Sequence, residues 1–107
     1  MSESRLEMLK KMLSDDPEDS FVLYAIAKEY QNMGLLRESA SQLTDIKKKD
    51  PDYVGLYYHL GKIYESLEET VNAIKAYQDG ILVAKKLKDF HALSELNNAL
   101  TDLESGY

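Results

Sequence analysis

Apolar residues recur along this chain at intervals of three and four, the spacing of a helix with one buried face. Leu6, Leu9, Met12 and Leu13 form the first stripe and predict a helix over about 3–14. Asp15-Asp16-Pro17 ends it. Proline suits the first turn of a helix, where its missing N–H is not needed, so Asp16 reads as the N-cap of a second helix over about 17–33. Glu18 and Asp19 complement the dipole of that helix, and Gly34 closes it. A third helix over about 37–49 finishes in Lys47-Lys48-Lys49, three cations at the negative end of its dipole. Asp50-Pro51 restarts the cycle, with a fourth helix over about 52–67 and a fifth over about 70–87. In the fifth, the pattern Val71, Ile74, Tyr77, Ile81, Leu82, Ala84 runs past the point where the third stops, so it should be the longer of the two. A sixth, over about 89–104, has Asp89 as its cap and the stripe Phe90, Leu93, Leu96, Leu100 and Leu103. No segment alternates like a strand, and none reads as a linker.

The pattern also repeats at long range. Leu23-x-x-Ile26-Ala27-x-x-Tyr30, shifted by 34 residues, falls on Tyr57-x-x-Leu60-Gly61-x-x-Tyr64. The same shift carries Asp16-Pro17 onto Asp50-Pro51, Ser39 onto Ala73 and Leu43 onto Tyr77. A unit of this length, with large, medium, small and aromatic residues at its positions 4, 7, 8 and 11, resembles the tetratricopeptide repeat, a helix–turn–helix unit. The resemblance covers residues 20–84 well and 3–19 in part. It departs from the family at Leu23 and Tyr57, where tryptophan is usual, at Ser39, where alanine is usual, and at Glu68, which stands where Gly34 stands one repeat earlier.

The resemblance implies an all-α array of antiparallel helix hairpins wound as a solenoid. Within a single domain it divides the chain into a half repeat (3–19), two repeats (20–53 and 54–87) and a capping helix (88–107). Each repeat must stack on a neighbour to bury its apolar face. It also implies a function: binding a peptide or partner protein on the concave face.

Composition bounds the rest. A chain of 107 residues, 44% hydrophobic and 30% charged, has the make-up of one globular domain. It holds no cysteine, which removes disulfides and thiolate chemistry and suits a reducing compartment. The amphipathic start reads as no signal peptide, and no apolar run is long enough to span a bilayer. A cytoplasmic protein is therefore expected, without membrane or nucleic-acid partners, since a net charge of −6 opposes phosphate binding. The acid is uneven: residues 89–107 carry Asp89, Glu95, Asp102 and Glu104 with no Lys or Arg.

Opposite the core positions, the first helix of each repeat presents Phe21, Tyr24, Ala25, Lys28 and Gln31, then Gly55, Tyr58, His59, Lys62 and Glu65. Stacked repeats align such faces into one wall. Phe21, Tyr24, Lys28, Gln31, Tyr58, His59, Lys62 and Glu65 are the candidate binding residues. Aromatic anchors beside lysines fit an acidic ligand or a free C-terminal carboxylate. The same Tyr–Lys pairs, four apart, also pack on themselves in an ordinary surface. The carboxylate clamp of chaperone-binding family members places lysine and asparagine at the fifth and ninth positions of the first repeat. Here those are Tyr24 and Lys28, so chaperone tails are disfavoured.

No phosphate loop, nucleophile–base spacing or metal-ligand set appears, and no cofactor or enzymatic activity is expected. His59 and His91 lack suitable second ligands, and Asp15, Asp16, Glu18 and Asp19 are accounted for as caps. The alternative to a binding module is self-association as a homodimer through the terminal helices, with Leu6, Met8 or Met12 packing on a second copy.

Overall fold

The computed structural model describes residues 2–106, with side chains described from Arg5 onward. These residues form six α-helices and no strand: α1 (Ser2–Asp15), α2 (Ser20–Asn32), α3 (Leu36–Lys49), α4 (Gly55–Ser66), α5 (Thr70–Leu87) and α6 (Phe90–Ser105). They fall into two compact units, Met1–Asp50 and Pro51–Tyr107. As the pattern required, α5 is longer than α3, at 18 residues against 14. Among the described residues no helix is long and apolar enough to cross a membrane.

In the first unit α2 packs against both α1 and α3. Val22, Leu23, Ile26 and Ala27 of α2 and Ala40, Leu43 and Ile46 of α3 are buried. Ser39 is fully buried as well, and its hydroxyl donates to the Ala27 carbonyl at 2.7 Å, so a polar side chain at a small position is satisfied rather than stranded.

The entry to α2 differs from the expected one. Asp19, not Asp16, is the cap: its carboxylate accepts from the N–H groups of Phe21 and Val22 at 3.0 and 3.3 Å. The Asp19 N–H donates to the Asp16 carbonyl at 3.2 Å, which makes Asp16–Asp19 a turn with Pro17 in its second position. Proline's fixed φ serves that turn instead of the helix, and α2 starts three residues later than expected. Pro51 also stands in a turn before α4, where its carbonyl accepts from the Tyr57 hydroxyl at 2.5 Å, but no side chain caps that helix.

In the second unit α5 lies against α4 and α6, and α4 also touches α6. Two glycines set these approaches. A Cβ on Gly61 of α4 would lie only 2.1 Å from Cε1 of the Tyr77 ring on α5. A Cβ on Gly80 of α5 would lie 2.5 Å from the Tyr57 Cβ and 3.1 Å from both Leu96 methyls of α6. Tyr57, Tyr77, Leu56, Leu60, Ile63, Leu96 and Leu103 are large side chains buried here.

The turns between paired helices use left-handed backbone. Gly34 has φ 79° after α2, and Glu68 has φ 60° at the matching point after α4. The second turn thus closes without glycine, at a cost of about 1 kcal/mol. Lys88, at φ 57°, ends α5 in the same way.

Each repeat hairpin, α2–α3 and α4–α5, ties the end of its second helix to an acid just after the entry proline. Lys49 pairs with Glu18 at 3.4 Å, and Lys86 with Asp52 at 2.9 Å. Pairs this exposed contribute at most about 1 kcal/mol each.

Four residues of the expected stripes are exposed: Met12, Val71, Leu82 and Phe90. Phe90 lies six residues before buried Leu96, which is about 240° around the helix, and Val71 stands in the same relation to Tyr77. Leu82, five residues after Tyr77, is turned away by about 140°.

Gly61→Leu should destabilise the chain by about 1–3 kcal/mol through overpacking against Tyr77, outweighing a helix-propensity gain of under about 1 kcal/mol. Thermal melting checks this. Leu96→Ala should cost about 2–5 kcal/mol; an unshifted melting temperature would mean that α6 is not docked on α5 in solution.

Candidate functional site

On α2 the helical period places Phe21, Tyr24, Lys28 and Gln31 on the side opposite Leu23, Ile26 and Ala27. Phe21, at the helix start, is 68% exposed, while Tyr24, Lys28 and Gln31 are half-buried. Arranged in this way they form one face with an aromatic end and a cation in the middle.

The α4 residues are drawn together more closely. The Tyr58 and His59 rings meet edge to face, with centroids 5.6 Å apart. The Lys62 Nζ lies 5.5 Å from the centroid of the Tyr58 ring and 3.7 Å from a Glu65 carboxylate oxygen. Glu65 reaches inward too, accepting a short hydrogen bond from the hydroxyl of Tyr77 on α5. The Tyr77 ring sits 6.5 Å from that of Tyr58. All four candidate residues of α4 therefore belong to one connected cluster, half-buried and built on the buried Tyr77. Burial first, and then the hydrogen bond and negative charge of Glu65, push the Tyr77 hydroxyl well above its ordinary value of 10.0.

Two features escaped the sequence reading. Glu29 of α2 is buried, 4% exposed, and pairs with Arg5 of α1 at 3.3 Å. The signal was available: one repeat later the same position is Ile63, so a charge there has to find a partner. Glu65, read as part of the binding face, also anchors the core tyrosine. The surface has shallow depressions of about 360 Å³, lined by Tyr30, Arg37, Glu38, Ser41 and Gln42, and about 420 Å³, lined by Glu68–Asn72. Neither contains a candidate residue. Among the described residues no group of three His, Cys, Asp or Glu side chains is placed to hold a metal ion.

No family model matches the chain. A tetratricopeptide repeat domain protein of Salinibacter ruber, known from its crystal structure, is 39% identical to it, with a TM-score of 0.79 over 83% of this chain and 100% of its own. The chain belongs to the tetratricopeptide repeat family. Two curated family proteins are more distant. The TPR repeat-containing protein PA0015 of Pseudomonas aeruginosa is 25% identical over 99 residues, 92% of this chain and 94% of its own length. The TPR repeat-containing protein YpiA of Bacillus subtilis is 29% identical over 79 residues, 74% of this chain; the match spans only 18% of YpiA. The fold is shared with two complexes at lower identity. One is the yeast Sti1 TPR2B domain with pHsp70, at TM-score 0.87 and 14% identity over 95% of this chain and 82% of that one. The other is PcrH with the chaperone binding region of PopD, at TM-score 0.88 and 10% identity over 97% and 79%.

In tetratricopeptide terms, Gly61 and Tyr77 occupy the close-packing positions of a repeat, and the Tyr58–Lys62–Glu65 cluster stands on the face that those positions leave outward. Its link to the core gives a pH signature. Above pH 10 the unfolded chain loses the Tyr77 proton while the folded chain keeps it, so the unfolded state binds fewer protons and stability falls as pH rises. The contribution is complete below pH 10 and is lost above it. Chemical denaturation from neutral to strongly alkaline pH should show a shallower decline for Tyr77→Phe than for wild type.

Proposed function

We propose that this chain is a protein–protein interaction module that binds a partner protein or peptide through the outward faces of α2 and α4. The observation that carries the reading is the α4 cluster. Tyr58 offers a half-buried aromatic surface held in place by His59, Lys62 and Tyr77, the kind of rigid anchor that dominates binding interfaces. The fold neighbours support it, since Sti1 TPR2B and PcrH are each seen in complex with another protein or a region of one.

The ligand is an acidic segment or a free C-terminal carboxylate bearing an apolar side chain. Lys28 on α2 and Lys62 on α4 are the cations that would meet it. Lys62 is shared between the Tyr58 ring and Glu65, and its 3.7 Å pair is partly exposed. A bond of that kind is worth at most about 1 kcal/mol, so an incoming carboxylate displaces Glu65 at little cost. The proposal retains the division into half repeat (3–19), two repeats (20–53 and 54–87) and capping helix (88–107). It assigns no catalytic step to the chain and places it in the cytoplasm.

Affinity capture from source lysate tests the reading. Wild type is compared with a variant carrying Tyr24→Ala, Lys28→Glu, Tyr58→Ala and Lys62→Glu, with folding verified by circular dichroism. A protein retained by wild type and lost by the variant is the expected result, with binding that weakens as salt rises. A partner held equally by both would move the site off these faces, and recovery of no second protein would overturn the module reading.

A further inference from the structure

The two hairpins offer a comparison for the outer side of α1. Two repeat lengths beyond Arg5, Met8 and Met12 stand Ala73, Ala76 and Gly80 of α5, all buried. One repeat length beyond Arg5 and Met12 stand Ser39 and Ile46 of α3, also buried. In each case the preceding helix packs on that side: α4 covers α5, with Tyr57 against Gly80, and α2 covers α3, with Ala27 bonded to Ser39. Among the described residues no helix precedes α1. Arg5 is accordingly 69% exposed, Met8 64% and Met12 51%.

The residues on this side are not those that admit a repeat helix. Alanine, serine and glycine let the covering helix approach closely in α3 and α5. Arginine and methionine at the matching places of α1 hold a neighbour farther off. Their order is informative. Arg5, Met8, Met12 and exposed Asp15 are spaced three, four and three apart, one stripe of a helix with the spacing of a coiled-coil seam. A cation opens the stripe, two flexible apolar side chains fill its centre, and an anion closes it.

We infer that this stripe docks on the same stripe of a second copy, with the two α1 helices antiparallel about a two-fold axis. Positions 5 and 15 share a midpoint with positions 8 and 12. One antiparallel register therefore places Arg5 against Asp15 of the other copy and Met8 against Met12, each contact made twice. That is the self-complementarity a two-fold interface requires. Methionine suits it, because an unbranched side chain adapts to an identical partner. Arg5 uses its Nε toward Glu29, and a guanidinium has further donors for a second carboxylate. A dimer would present two binding modules at once.

Sedimentation velocity on the full chain, from micromolar to millimolar protein, should show a concentration-dependent monomer–dimer equilibrium. Asp15→Arg, at an exposed helix end, should raise the dimer dissociation constant by about tenfold or more, and Met12→Glu should leave only monomer, both with unchanged circular dichroism. The chain has no cysteine of its own, so mixing Met8→Cys with Met12→Cys under mild oxidation reads the register. Disulfides between the two variants should outnumber those within either. A monomer at all concentrations, a dimer indifferent to Asp15→Arg and Met12→Glu, or a preference for links between two copies of Met8→Cys would each overturn the proposal.

Discussion

Everything in the second unit depends on how closely α4 can approach α5. A glycine at position 61 lets the ring of Tyr77 lie directly on the α4 backbone. With the ring in that place, its hydroxyl arrives at Glu65, and its edge supports Tyr58. The outward cluster is thus positioned from below. Gly80 acts likewise on the next helix, letting Tyr57 and Leu96 close from two sides. The first unit solves the same problem with Ala27 and Ser39, where a buried hydroxyl bonded to a carbonyl replaces an aromatic ring against glycine. The two units share a pattern but not the atoms that satisfy it.

A charged group in such a core has to be matched. Glu29 is matched by Arg5, which links α1 to α2 at a place where the second unit uses Ile63. A buried carboxylate with one partner removed is strongly destabilising, whereas an isoleucine asks for nothing. The first unit thereby depends on α1 in a way that packing alone would not impose.

How far these features could be read in the sequence follows from their physical range. Helix number, the long α5 and the small positions at Ala27 and Gly61 were legible, because apolar period and residue size are local and repeat. The starts of α2 and α4 were not: Asp16 and Asp19 both precede α2 and only the turn around Pro17 decides between them, while α4 begins after Val54 with no side-chain cap. Phe90 and Val71 fitted a three-and-four rhythm but had drifted around their helices. Glu65 was found as a surface residue, yet its bond to Tyr77 joins side chains twelve residues apart, beyond the reach of any single-helix pattern. Gly80 was passed over because it stands inside a helix, where glycine reads as a weakness until its neighbours are known.

Among the described residues most helices touch a helix next to them in sequence, and α4 with α6 skips one. Contacts of that kind close short loops, so little chain entropy is spent before the first native interactions form. Topologies built from them belong to the fast-folding class, with relaxation on the order of microseconds to milliseconds. In repeat architectures each hairpin can also serve as the nucleus. The speed with which such a chain reaches its native state is therefore a property of its wiring, and the slower β-rich proteins of the same length have no equivalent route.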